Sequence, residues 1–186
     1  MEGGTRVDVG EHLRLDRRPG LARGSLIHKW LEGIEWLDDG EPSDAHLLSL
    51  TPQRAKSLAL EDELIHLRRA LQAEAVRQAL SRGRFEADGA LRVYRELPFA
   101  VREGEVLLSG SFDRVVVARG ERTRVTIMDF KTDRVSEADL AERVAYYRPQ
   151  MEAYRRAAVT VFRAHIEDVR CELVFLALGR VIAVAE

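Results

Sequence analysis

Asp129 and Lys131 stand two residues apart in Ile127-Met128-Asp129-Phe130-Lys131, a stretch whose apolar residues read as a strand. The two-residue period of a strand sends both side chains to one face. Asp113 lies one hairpin earlier, in Gly110-Ser111-Phe112-Asp113-Arg114, and folding the chain about Gly120 can bring it level with Asp129. Two carboxylates on rigid backbone suit a hard divalent cation such as Mg²⁺. A lysine beside them can orient a water or stabilise the charge that develops as phosphorus is attacked. With a metal to position the attacking water, such a set is equipped to hydrolyse a phosphodiester. The alternative is a strand-end Asp paired with a Lys at the surface, worth roughly 0–1 kcal/mol. Two features weigh against that alternative. The chain holds three lysines (Lys29, Lys56 and Lys131) against 26 arginines, so Arg is its ordinary surface cation. Asp113 also sits inside an otherwise apolar strand, where an unpaired carboxylate is costly.

The elements that must carry these residues follow from periodicity. Leu91–Val101, Glu105–Ala118 and Thr123–Lys131 alternate like strands and are separated by the Gly-containing turns 102–104 and 119–122, which predicts an antiparallel meander. Upstream, Leu26, Ile27, Trp30, Leu31, Ile34 and Leu37 line one face of a helix with Ser25 as its N-cap. The stretch 38–43 breaks it, and a second helical region runs from about Pro52 to Leu80. Downstream, Ser136-Glu137-Ala138-Asp139 resembles a capping box that opens a helix, which Pro149 interrupts or restarts and which continues through Val161. Glu172–Leu178 and Val181–Ala185 read as two closing strands. The expectation is an α/β fold: a central mixed sheet built on the three-strand meander and flanked by helices. Residues 1–23, Gly- and Arg-rich without sustained periodicity, read as a tail or linker remnant before a domain covering 24–186.

Composition narrows the class. At 186 residues, with 46% hydrophobic and 32% charged, the chain is long enough for one domain with a core that needs no disulfide. Cys171 is the single cysteine, which excludes an intramolecular disulfide and any multi-thiolate zinc or iron–sulfur site made by this chain alone. A reducing, cytoplasmic setting is the matching expectation. No apolar run approaches the ~18 residues of a membrane span, and no secretory h-region follows Met1, so no membrane role is expected. The formal net charge of −2 lacks the basic excess of a stand-alone nucleic-acid binder. If nucleic acid is the substrate, something else must hold the strand. A Gly-x-x-x-x-Gly-Lys-Ser/Thr loop is missing from the sequence, so any ATP-driven motor of that type lies outside it.

Five segments in order carry a family resemblance: Gly24-Ser25-Leu26-Ile27-His28, Glu96-Leu97-Pro98-Phe99, Gly110-Ser111-Phe112-Asp113, Asp129-Phe130-Lys131-Thr132-Asp133-Arg134 and Tyr147-Arg148-Pro149-Gln150-Met151-Glu152-Ala153-Tyr154. Together they resemble the PD-(D/E)XK nucleases of the RecB type, and most closely the C-terminal nuclease domain of AddA helicase–nuclease subunits. The likeness spans about Gly24 to Val184. Phe112 stands where the family name has Pro, and the second acid is Asp129, both usual in the RecB branch. The resemblance implies a restriction-endonuclease-like fold. It implies Asp113 and Asp129 as metal-binding catalytic acids, Lys131 as the catalytic lysine, His28 as a further metal ligand and the Phe130 carbonyl as a possible oxygen donor. Gln150 and Tyr154 match the family's helical Q-x-x-x-Y element and, four apart on one helix face, are expected beside the site to position DNA. Relatives with a four-cysteine iron–sulfur clasp are excluded by the single Cys171.

Physical chemistry supports the accessory residues unequally. With Ser25 as N-cap, His28 falls in the first turn, where the positive helix end disfavours imidazolium and leaves the neutral, metal-binding ring. The alternative is a histidine simply packed near a helix start. Glu96 is a weaker candidate that orients a lysine or water, or else pairs with Arg95 or Arg114. His12, His46, His66 and His165 have no partners at ligand spacing. Tyr146, Tyr147, Arg155 and Arg156 read as a solvated helix face, with DNA contact as the alternative.

The expected activity is therefore a Mg²⁺-dependent DNA exonuclease module, with Mn²⁺ able to substitute, in double-strand-break repair and recombination. Its partners are DNA, fed as a single strand, and a helicase segment or subunit not in this chain. The other readings are a catalytically inactive DNA- or partner-binding module on the same fold, and a free-standing exonuclease, which the initiator-like Met1 permits.

Overall fold

The computed structural model describes residues 6–8, 20–85 and 89–184. Six strands form one mixed sheet: β1 (Arg6–Asp8), β2 (Ala90–Glu103), β3 (Val106–Arg119), β4 (Thr123–Lys131), β5 (Val169–Phe175) and β6 (Arg180–Ala183). The helices are α1 (Gly20–Glu32), α2 (Asp44–Ser49), α3 (Leu60–Gln72), α4 (Glu74–Ala79) and α5 (Leu140–Phe162). The meander β2–β3–β4 is antiparallel, as its alternation and short Gly turns predict. β5 then joins β4 in parallel after the α5 crossover, and β6 closes the edge antiparallel to β5.

One topological detail creates the site. β2 occupies the whole of one edge of β3, from Ala90↔Arg119 to Glu103↔Val106. β1 and β4 must therefore share the other edge. β1 pairs in parallel with Leu107–Ser109, and β4 pairs antiparallel with Arg114–Arg119. Residues 110–113 lie between these two ladders, where the edge of β3 opens as β4 departs toward β5.

The strands show near-continuous apolar runs because both faces are covered. Val115, Val117, Ile127, Leu173 and Phe175 face a core shared with Met151, Tyr154, Ala157 and Phe162 of α5. Val116, Met128, Phe130 and Val174 face the opposite core, with Leu26, Trp30, Leu47, Leu67, Leu71 and Val76 from the helices α1 to α4. The faces switch within β2 and β3. Leu91 and Val93 pack on the α1 side, whereas Leu97, Phe99 and Val101, of the same parity, pack on the α5 side. The switch falls at Glu96, which has φ 49°, and at Asp113, the residue opposite it in register. Beside it Phe112 turns toward α5 while Arg114 turns toward Trp36. A non-glycine residue at positive φ stores strain that the surroundings must hold, and such residues gather at functional positions.

Several boundaries differ from the sequence expectation. α1 begins at Gly20, so Ser25 lies inside the helix and does not cap it. Tertiary bonds explain the extra turn: Arg23 reaches both Glu63 carboxylate oxygens on α3 at 2.8 and 2.9 Å, and the Thr132 carbonyl at 2.7 Å. Of the stretch read as a tail, Arg6–Asp8 joins the sheet and 20–23 joins α1; residues 1–5 and 9–19, with His12, lie outside those described, as does Ala185. The helical region expected from Pro52 to Leu80 is divided into a short 3-10 turn, α3 and α4, with extended backbone at Ala73 between the two α-helices. The added α2 is capped by Ser43, whose Oγ accepts from the His46 N–H. Ser136 and Asp139 bond each other in a turn, and α5 starts only at Leu140. Pro149 neither stops nor restarts it, since α5 runs unbroken on either side. The hydrogen bond Pro149 cannot donate is offset by a helix half sunk into the core.

Gly179 turns the chain between β5 and β6 at φ 63°, and a Cβ placed there would lie 2.6 Å from the Ala73 Cβ. Left-handed backbone costs a non-glycine residue about 1–2 kcal/mol, and the clash at the α3–α4 break adds to it. Gly179→Ala is expected to lower stability by at least that amount in urea or thermal unfolding. A variant as stable as the parent would mean that the turn relaxes without cost.

Candidate active site

The β3–β4 ladder ends at Arg114↔Met128, so the next rung sets Asp113 level with Asp129, as the hairpin expectation requires. Past that rung β4 pairs only with β5. The Phe130 N–H, released from the ladder, donates to Asp113 Oδ2 at 2.8 Å, which fixes the carboxylate in the fork.

His28 approaches from α1. Its Nδ1 lies 3.4 Å from Asp113 Oδ1 and 3.6 Å from Glu96 Oε1, and its Nε2 lies 3.0 Å from the Phe130 carbonyl. Ligand atoms of His28, Glu96 and Asp113 all fall within 4.8 Å of one another. The second half of the site faces α5. Lys131 Nζ is 2.5 Å from Asp129 Oδ2, an ion-pair contact without good hydrogen-bond alignment, and donates to Gln150 Oε1 at 3.1 Å. The Gln150 amide in turn donates to Asp129 Oδ1 at 3.3 Å and to the Tyr154 hydroxyl at 3.0 Å. The Tyr147 ring lies over Lys131, with its centroid 3.5 Å from Nζ.

Electrostatics follow from three acids in a confined space. Burial pushes the Asp129 carboxyl up to about 6, with the Asp113 charge adding to the rise and Lys131 opposing it. Burial also works against the charged form of Asp113, but the His28 charge, the His28 hydrogen bond and the Phe130 N–H outweigh it and hold the carboxyl below its usual range. Burial disfavours imidazolium at His28, yet Asp113, Glu96 and Asp129 more than reverse this and raise the ring well above its ordinary value. Both ring nitrogens face acceptors, which agrees with that direction. The helix-start argument for a neutral His28 is thus corrected: the residue lies in the third turn of α1, away from its N-terminus, and the carboxylates control it.

These donors fit a divalent cation. Two carboxylates and an imidazole converge on one spot, and their local excess of negative charge favours a cation there. The sequence-predicted residues His28, Asp113 and Phe130 meet here, and Glu96 joins them in place of its alternative partners. Arg95 lies near Glu35 instead, and Arg114 binds backbone carbonyls of Ile34 and Glu35. Asp129 falls outside the tight group and is held by Lys131 and Gln150. Gln150 and Tyr154, expected to reach DNA, are 9% and 3% exposed and brace the Asp129–Lys131 pair from within. The reading of 146, 147, 155 and 156 as a solvated face holds for Tyr146 and for Arg156, which is exposed, and is corrected for the other two. Tyr146 is exposed, but Tyr147 turns inward to Lys131, Arg155 binds the Val169 and Ile166 carbonyls, and Arg156 pairs with Glu103. Sequence reasoning named Tyr147 only as solvated or touching DNA and missed its place over Lys131, although its position three residues before Gln150 on the same helix was a usable signal.

A mixed sheet between two helical layers thus carries carboxylates and a lysine at a strand fork. The family model of the PD-(D/E)XK nuclease superfamily matches residues 8–183, and the chain belongs to that superfamily. No curated protein matches the chain. Among solved structures it is similar to the crystal structure of SSO0001, at 14% identity and a TM-score of 0.33, over 95% of this chain and 71% of that one. Among the described residues no helix is long and apolar enough to cross a membrane.

Proposed function

We propose that this chain is a divalent-metal-dependent deoxyribonuclease: a cytoplasmic exonuclease module of a RecB/AddA-type helicase–nuclease that processes DNA in double-strand-break repair and recombination. The observation that carries the reading is the convergence of His28, Glu96 and Asp113 within 4.8 Å beside the Asp129–Lys131 pair. The ordered motifs support the RecB/AddA branch. The net charge of −2 supports a separate motor that holds and feeds the strand.

Asp113, Glu96 and His28 would hold the cation, Mg²⁺ or Mn²⁺, with Asp129 and the Phe130 carbonyl at its margin. When bound, the cation supplies the positive charge that lets a phosphodiester accept a nucleophile. Lys131 presents its ammonium beside Asp129, where it can orient the attacking water and offset charge growing on the phosphate oxygens. Asp129 holds the Lys131 ammonium at the edge of the proposed cation site. Gln150 and Tyr154 keep the pair in place.

The test is incubation of the purified chain with linear single- and double-stranded DNA, closed circular DNA and RNA of the same sequence, in Mg²⁺, Mn²⁺ or EDTA. Metal-dependent loss of linear DNA, sparing circles and RNA, is the expected result. Cleavage of RNA alone, cleavage in EDTA, or no cleavage of any substrate would overturn the proposal.

A further inference from the structure

Lys131 is almost buried, and its amine meets a different group in each of three directions. Asp129 Oδ2 lies at 2.5 Å, Gln150 Oε1 at 3.1 Å, and the centroid of the Tyr147 ring at 3.5 Å. One ammonium donor bonds Gln150, while the charge faces the Asp129 carboxylate on one side and the π face on another. The Tyr147 hydroxyl donates to Asp133 Oδ2 at 2.9 Å, two residues beyond the lysine. Tyr147 and Gln150 are three apart on α5, so one helical turn delivers both partners of Lys131. An aromatic face attracts a cation most strongly where water is excluded, which is the setting here.

We infer that Tyr147 is a positioning residue for Lys131: its ring face holds the amine beside Asp129, with the bond to Asp133 as a minor added support for the ring. The inference rests on Lys131 being the lysine that serves cleavage, and it adds to that reading the group that fixes the lysine's place. A long lysine chain left without it would sample rotamers in which Nζ leaves the fork, and turnover would fall with little change in DNA binding.

The experiment uses the full chain with Tyr147→Phe, Tyr147→Leu and a series of progressively fluorinated phenylalanines at 147. Fluorination withdraws charge from the ring face while nearly preserving its shape. The chain has only three lysines, so ¹³C-lysine labelling gives a readable NMR spectrum. The Lys131 ε-methylene is expected at a high-field, ring-shifted position that Phe retains and Leu loses. In cleavage assays Leu is expected to lower kcat roughly 10–30-fold with KM for DNA little changed, Phe to stay within about threefold, and the fluorinated series to decline stepwise. A ring-shifted Lys131 signal that persists in Tyr147→Leu, equal activity of Phe and Leu, or indifference to fluorination would each overturn the inference. Should Tyr147→Leu fail to fold, the fluorinated series decides alone. If the parent protein cleaves nothing, the nuclease reading fails by itself, and the NMR comparison still shows whether the ring holds the amine.

Discussion

Lys131→Met and Asp113→Asn are each expected to lower metal-dependent DNA cleavage by roughly 10²–10³-fold, the loss typical when one preorganised charge or donor is removed from a transition state. The two fail for different reasons, and the difference is the useful part. Methionine keeps the length of the side chain but removes the ammonium that lies 2.5 Å from Asp129. With that opposition gone, burial and the Asp113 charge drive the Asp129 carboxyl further up, so it takes a proton and becomes a neutral buried acid. The fold survives, and the group near the margin of the proposed cation changes more than the group around it. Asn at 113 instead keeps an oxygen that can accept from the Phe130 N–H, but withdraws a charge from the cluster with His28 and Glu96. Metal titration by calorimetry should therefore show binding largely retained in Lys131→Met and weakened in Asp113→Asn. Undiminished cleavage in either variant, with folding checked by circular dichroism, would remove that residue from the chemistry.

The pieces that a reader of the sequence can reach are the local ones. A hairpin with a short turn fixes its own register, so the spacing of Asp113 and Asp129 about Gly120 is enough to set them level, and the i, i+2 relation of Asp129 and Lys131 does the rest. The layers were also legible, since apolar runs in strands imply cover on both faces. What stayed hidden depends on contacts far apart along the chain. Leu91, Val93, Leu97, Phe99 and Val101 share one parity, broken only by Arg95, yet the backbone rotates at Glu96 and moves the later three to the other face. The break at Arg95 lies beside Glu96 but does not say that Glu96 is the residue that turns toward His28. The start of α1 is set by Arg23 bridging to Glu63 and Thr132, at separations of 40 and 109 residues. The path of α5 through Pro149 is likewise a tertiary result, and without it Tyr147 cannot be placed over Lys131.

The largest loss of stability is expected from Arg114→Met. Arg114 is 1% exposed, next in sequence to Asp113, and directed to the opposite face by the switch in β3. Its Nη1 donates to the Ile34 carbonyl at 3.0 Å, its Nη2 donates to the Glu35 carbonyl, and its guanidinium lies 5.0 Å from the Trp36 ring centroid. These carbonyls follow the C-terminal end of α1, so one buried side chain ties the helix that carries His28 to the strand that carries Asp113. Burial costs the guanidinium enough to pull it down to about 10, helped by Arg95 across the ladder. That cost is recovered when the charge is removed, which is why the net effect is smaller than two charged hydrogen bonds would suggest. Methionine fills much of the volume but offers no donor, leaving two carbonyls to find water or stay unsatisfied. A loss of about 3 kcal/mol follows, or a fall in Tm of about 6–12 °C for a chain of this size. Arg114→Lys should recover part of it, since an ammonium can reach one carbonyl but cannot fork to both. Because the anchor ties the helix of His28 to the strand of Asp113, the Met variant should also lose metal affinity at temperatures where it remains folded. A fall in stability below about 1 kcal/mol would mean that α1 is held against the sheet by apolar packing alone, and that His28 reaches Asp113 without help from Arg114.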